Sequence, residues 1–167
     1  MREKVVLDAC CGSRMFWFDK QNPMVVFADN REEEHILCDG RTLKITPDLV
    51  SDFRNMPFAD KQFKLVVFDP PHLLKLGKNS WMAKKYGLLQ SETWQEDISK
   101  GFNECMRVLD DYGVLVFKWN QRDIKISTLL KAIGTQPLFG HTTRKNSETT
   151  WMCFIKSPKS LIKGGGK

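Results

Sequence analysis

No apolar run in the sequence approaches the roughly 20 residues that a membrane-spanning helix needs. The longer ones, such as residues 113–117, reach only about five. The five cysteines are odd in number and include no C-x-x-C, so neither a disulfide framework nor a zinc ribbon is indicated. The three histidines, His35, His72 and His141, lack metal-ligand spacing, and no metal site is expected. Asp8 breaks the first apolar stretch after three residues, which speaks against a secretory signal. No internal repeat is present. With 167 residues, 41% hydrophobic and 28% charged, the chain reads as one globular domain able to bury a core without staples. The expectation is a reduced, cytoplasmic protein with one domain over residues 1–160 and a loose basic tail over residues 161–167.

Acidic residues are missing where lysines gather. Lys and Arg total 26 against 20 Asp and Glu, a net charge of +6. Between Pro70 and Gln90 stand Lys75, Lys78, Lys84 and Lys85, interleaved with Trp81 and Tyr86 and with no carboxylate. Such a segment fits a solvated loop, and equally a surface that binds phosphates and stacks an unpaired base. A nucleic-acid partner is the reading carried forward.

Five short apolar runs look like strands buried on both faces, as in a parallel sheet: residues 5–7, 25–28, 49–51, 63–68 and 113–117. Four of them end in Asp8, Asp29, Asp52 and Asp69. In open α/β sheets the ligand crevice lies beyond the carboxyl ends of the strands, so these carboxylates are expected to converge on one edge. Thr93-Trp94-Gln95-Glu96 fits a capping box that opens a helix running to about Leu109. Asp123 is expected to cap a second helix that Gly134 stops, and a short helix is expected over residues 14–20. Asp39-Gly40 between residues 35–38 and 41–45 signals a type I′ hairpin. Residues 138–144 and 149–156 form a second expected hairpin.

The most specific string is Asp69-Pro70-Pro71-His72, directly after a buried strand. Two prolines cannot continue a hydrogen-bonded ladder, so the backbone stops and is held rigid. A rigid turn can aim a carboxylate and a carbonyl at one amino group, while a ring at the fourth position stacks on a planar base. With these residues the chain resembles the class I SAM-dependent methyltransferases, in particular the amino-methyltransferases with a [D/N/S]-P-P-[Y/F/W] motif, in a small phage-like stand-alone form. The resemblance covers roughly residues 4–156. It implies a Rossmann-like α/β fold, a mostly parallel seven-stranded sheet with an antiparallel C-terminal strand, and S-adenosylmethionine (SAM) as cofactor. Asp8, Ala9, Cys10, Cys11 and Gly12 resemble the turn that wraps the methionine part of SAM. Asp29 matches the acidic residue at the ribose, and Asp52 with Phe53 the adenine contact. Arg14 replaces the usual last glycine of the turn, His72 replaces the usual aromatic residue, and a hairpin stands between Asp29 and Asp52 where the family has a helix.

The chemistry implied is direct methyl transfer to an exocyclic amine, most simply adenine N6. Asp69 and the Pro70 carbonyl would hold the amino hydrogens, with Pro71 and His72 completing the turn. Lys75, Lys78, Trp81, Lys84, Lys85 and Trp119 are the expected substrate contacts. Trp119 is equally well read as packing. No cysteine follows a proline, which disfavours carbon methylation through a covalent adduct. One small domain leaves little room for reading a long site, so a short or structured target, a recognition subunit or a homodimer is implied. Two alternatives stay open: another acceptor nitrogen (guanine N2 or a protein side chain), and a non-catalytic SAM-fold protein that binds nucleic acid.

Overall fold

The computed structural model describes residues 4–158, apart from 38, 78, 79, 145 and 146. Nine strands and three helices alternate along them: β1 (Val6–Asp8), β2 (Val25–Asp29), β3 (Glu33–Ile36), β4 (Thr42–Ile45), β5 (Leu49–Val50), β6 (Phe63–Phe68), α1 (Trp81–Tyr86), α2 (Trp94–Val108), β7 (Leu109–Asn120), α3 (Ile126–Ile133), β8 (Phe139–Thr142) and β9 (Thr149–Ile155). Seven strands form one sheet in the order β5-β2-β1-β6-β7-β9-β8, and β3 pairs with β4 alone. Strands β5, β2, β1, β6 and β7 run parallel, while β9 is antiparallel to both its neighbours. This is the mostly parallel seven-stranded sheet with an antiparallel C-terminal strand that the sequence implied. No helix among the described residues is long and apolar enough to cross a membrane.

The chain builds outward from β1 to β2 and β5, then returns to the other side of β1 for β6 and β7. That reversal leaves a crevice between the carboxyl ends of β1 and β6. Leu7 and Val66, paired in register, are fully buried, as befits central strands covered on both faces. On β7 the pleat alternates: Leu115, Phe117 and Trp119 are buried, while Val116, Lys118 and Asn120 lie half-buried on the opposite face. Helix α2 buries Ile98, Phe102, Cys105 and Val108 at helical spacing. Burying an apolar side chain of this size contributes about 1.5–3 kcal/mol.

Several local expectations are corrected. Residues 14–20 are successive turns rather than a helix. Their amides close short bonds, Arg14 N to Cys11 O and Trp17 N to Arg14 O, and Arg14 takes φ +55°, which breaks any right-handed helix. The β3–β4 turn is not type I′. Among the described residues there, only Gly40 has positive φ (+81°), where type I′ needs it at Asp39 as well; Leu37 and Arg41 close a wider loop through Leu37 N–Arg41 O and Gly40 N–Leu37 O. The capping box does not form. Thr93 has helical φ/ψ (−118°, −5°), its hydroxyl donates to Asp97 at 2.7 Å, and no amide of the first turn bonds its side chain. Asp123 does not cap α3, whose N-cap is Lys125; its carboxylate accepts the Leu74 amide at 2.8 Å. Gly134 does end α3, at φ +68°. Strand β7 begins before Gly113, because a bulge opposite Lys64 carries it back to Leu109. The segment between Pro70 and Gln90 is not all loop, since it contains α1. Lys78 and the tail over residues 161–167 lie outside the described residues.

Gly101 shows how tightly α2 meets the sheet. A Cβ there would sit 2.4 Å from the Phe53 ring and 2.8 Å from the Phe68 ring. Gly101→Ala is therefore expected to lower stability by about 1–3 kcal/mol despite its better helix propensity. Denaturant titration of the two proteins measures it; an unchanged midpoint would show that Phe53 relaxes without cost.

Candidate active site

Asp8 ends β1 and is fully buried. Its Oδ2 accepts from Trp17 Nε1 at 2.7 Å and its Oδ1 from the Cys10 amide at 3.3 Å. Burial raises its pKa to about 7; the two hydrogen bonds work against that rise, and the nearby Asp69 and Asp29 charges add to it. Asp8 and the buried Ala9 do not line the crevice; Asp8 braces the turn after β1 from behind. Cys10, Cys11 and Gly12 do line it. Burial pushes the Cys11 thiol up to about 12 and the Cys10 thiol well above its usual value, so neither is a ready nucleophile.

Gly12 turns at φ +48°, and a Cβ there would meet nothing within 4 Å. Its amide donates to Asp29 Oδ2 at 2.9 Å, which ties the end of β1 to the end of β2. Arg14 occupies the glycine-like conformation two residues on. Its guanidinium turns away from the crevice, donating to the Lys20 carbonyl at 2.6 Å, the Thr46 carbonyl at 2.7 Å and Asp48 at 2.9 Å, over the Phe27 ring at 3.9 Å. Those contacts offset the strain of a side chain at positive φ.

Asp29 is 4% exposed and lines the crevice. Besides Gly12 it accepts from the Arg31 amide at 3.0 Å and Arg31 Nε at 3.2 Å. An ionised carboxylate offers about four acceptor positions, so one remains. Arg31 also donates to the Lys84 carbonyl at 2.9 Å and so reaches α1. Phe53 lines the crevice, whereas Asp52 does not: both its oxygens are held by Arg54 at 2.6–3.0 Å. That pairing lowers its carboxyl below the ordinary value, against a smaller effect of burial.

Asp69, Pro70, Pro71 and His72 leave β6 and form the far wall. Lys118 Nζ donates to Asp69 Oδ2 at 2.5 Å, and no other described residue bonds this carboxylate. Burial raises the Asp69 carboxyl above its usual range, and the Lys118 ammonium opposes the rise. Phe68 pairs with Phe117 across β6–β7, so the next residues of the two strands, Asp69 and Lys118, fall side by side. The ammonium lies 5.6 Å from the centres of both the Phe16 and Trp151 rings. His72 is 8% exposed, 5.6 Å from the Tyr86 ring. Burial lowers its pKa to about 4, the Lys118 charge adds to the lowering, and a contact with the Pro70 carbonyl opposes it. His72 is thus a neutral ring at pH 7.

Two cavities share this wall. The first takes in Cys10, Gly12, Asp29, Phe53 and Lys85. The second lies beyond it among Met82, Asn120, Arg122, Glu148 and Thr149. Asp69, His72, Tyr86 and Lys118 line both. Among the basic-segment residues, Lys85 stands over the Trp81 and Tyr86 rings at 5.7 and 5.1 Å; Lys84 contributes its carbonyl to Arg31; Trp81 is half exposed, and Lys75 is exposed. Trp119 is corrected to packing: it is fully buried, and its indole N–H donates to the Ile124 carbonyl at 3.0 Å. Sequence reasoning missed Arg31, the pairing of Lys118 with Asp69, and Arg122. The i, i+2 spacing of Asp29 and Arg31 and the parallel register of Asp69 with Lys118 were the signals that could have found the first two. Among the described residues no cluster of three His, Cys, Asp or Glu could hold a metal ion.

His72 also sets a pH dependence. Its folded pKa of about 4 lies below the ordinary 6.5, so the unfolded chain binds the proton more readily. The stability due to its neutral form is complete above about pH 6.5 and is lost as pH falls toward 4. His72→Phe keeps a stacking ring without a titrating group. Thermal melting from pH 7 to pH 4 is expected to fall less steeply in this variant than in the wild type; parallel curves would show that His72 does not carry the effect.

No family model matches the sequence, and no curated protein does. Solved structures do. The PH0226 protein of Pyrococcus horikoshii superposes with a TM-score of 0.57 at 13% identity, over 91% of this chain and 81% of its own. A SAM-dependent methyltransferase of Leishmania major superposes with a TM-score of 0.52 at 13% identity, over 90% of this chain and 63% of its own, so this chain spans less than two thirds of that protein. With the strand order and direction described above, these likenesses show a Rossmann-like fold of the class I SAM-methyltransferase type.

Proposed function

We propose that this chain transfers a methyl group from SAM to an exocyclic amino group of a nucleic-acid base, with adenine N6 the first candidate. The observation that carries this reading is the shared wall: the Asp69-Pro70-Pro71-His72 turn stands between two cavities, where a donor on one side and an acceptor on the other would meet. The first cavity suits SAM. Asp29 retains one acceptor position for a ribose hydroxyl, Phe53 offers a ring face for adenine, and the open backbone at Gly12, Cys10 and Cys11 leaves space for the methionine part. When bound, SAM supplies a methyl group already activated by its sulfonium charge.

The protein's own part is placement. Asp69 accepts an amino hydrogen and draws the nitrogen lone pair out of the ring toward the methyl carbon. The amino nitrogen, once methylated, would be cationic and acidic, and Asp69 or water would take its proton. Neutral His72, with Tyr86, presents ring faces to the base without adding charge. Orientation and fixed charges would supply most of the rate. Lys75, Lys84, Lys85 and the half-exposed Trp81 border this region and suit a phosphate backbone and an unstacked base. A target inside a duplex would have to be flipped out. Reduced thiols and the basic surface suit a cytoplasmic enzyme that works alone on a short or structured site, as a homodimer, or with a recognition subunit.

Incubation with methyl-labelled SAM and separate DNA and RNA pools tests the reading. Label in N6-methyladenine is expected, reduced about a hundredfold or more by Asp69→Ala. Titration with S-adenosylhomocysteine checks that the variant still folds and binds. Label in N4-methylcytosine or N2-methylguanine would move the acceptor. Absence of label in both pools, with ligand binding intact, would overturn the proposal in favour of a protein acceptor or a non-catalytic role.

A further inference from the structure

The Lys118–Asp69 pair is the least expected feature of the wall. A lone carboxylate is enough to hold an amino group, yet here an ammonium is built into the same site. Lys118 is not a surface lysine folded over by chance. It sits on the pleat face that looks away from α2, directly opposite Trp151 in the β7–β9 ladder, and its side chain is 22% exposed. Phe16 and Trp151 flank it, each 5.6 Å away. An ammonium has three donors, and Asp69 takes one. The remaining donors belong to a group that lines both cavities.

Resting on the function proposed above, we infer that Lys118 is a specificity-determining residue that reads the acceptor jointly with Asp69. Asp69 takes a hydrogen from the amino group, and Lys118 donates to a hydrogen-bond acceptor carried by the same carbon. The spacing fits. Lys118 Nζ and Asp69 Oδ2 lie 2.5 Å apart. Two C–N bonds of about 1.33 Å meeting at a trigonal carbon put an amino nitrogen and its neighbouring ring nitrogen roughly 2.3 Å apart. Two nearly parallel hydrogen bonds then form, in the manner of a base pair. The chemical class selected is an amino group on an N–C=N or N–C=O unit, as on the N6/N1 edge of adenine or the N4/N3 edge of cytosine. An isolated amine leaves that further donor of the half-buried ammonium unmatched, and the site discriminates by that loss.

The test uses the full chain and two single-stranded oligonucleotides. One carries a single adenine, and the other carries 1-deazaadenine, which keeps the amino group and replaces N1 by C–H. The wild type is expected to show kcat/KM at least about tenfold lower on the deaza oligonucleotide. Its affinity for that oligonucleotide, measured beside S-adenosylhomocysteine, is expected to fall in parallel. Lys118→Met is expected to treat the two alike within about twofold, and Lys118→Arg to regain part of the preference. If the acceptor found in the first screen is cytosine, 3-deazacytosine takes the place of the purine analogue. Equal wild-type rates on both oligonucleotides, or a preference kept in the Met variant, would overturn the inference and leave the methyltransferase reading standing. No methylation of either by the wild type would sink both. Should the Met variant fail to fold, the wild-type comparison decides alone.

Discussion

The site depends on the parallel pairing of β6, with β1 on one side and β7 on the other. Main-chain ladders fix register to a single residue, because a slip of one turns every side chain to the wrong face. Leu7 against Val66 sets how far the turn after β1 lies from the turn after β6. Phe68 against Phe117 sets which β7 residue stands beside Asp69. Pro70 and Pro71 then hold the chain where the ladder releases it. The position of the Asp69 carboxylate is thus inherited from the buried strands beneath it.

Much of this was legible because it is governed by short-range sequence properties. Near-continuous apolar runs marked the parallel strands, acidic residues marked their carboxyl ends, and Gly134 marked the end of α3. What failed was mostly local capping. Thr93, Asp123 and Asp39-Gly40 each had the right residue type, yet other partners took two of them: Thr93 bonds Asp97 one helical turn on, and Asp123 the distant Leu74 amide. Side-chain oxygens bond whichever donor the fold presents, and spacing along the chain does not say which that is.

The candidate site divides in the same way. Asp29, Phe53, Asp69 and the turn around Gly12 reach the cavity as the strand ends implied. Asp8 and Asp52 also end or follow strands, but one is enclosed behind the turn and the other is held by Arg54. A strand end fixes where a carboxylate starts, while its neighbours fix where it points. Arg31 and the pairing of Lys118 with Asp69 escaped notice because neither residue is singular in the sequence; only pairing across strands, or contact with a distant helix, gives them these roles. Trp119 looked exposed to function by its place after a strand, and the pleat turned it inward.

Arg31 has one further consequence. The same guanidinium that grips Asp29 on the floor of the first cavity also holds the Lys84 carbonyl of α1, which roofs it. Floor and roof are therefore bolted together before anything enters. A ligand does not have to order the roof around itself, and the entropy of that ordering is absent from its binding free energy.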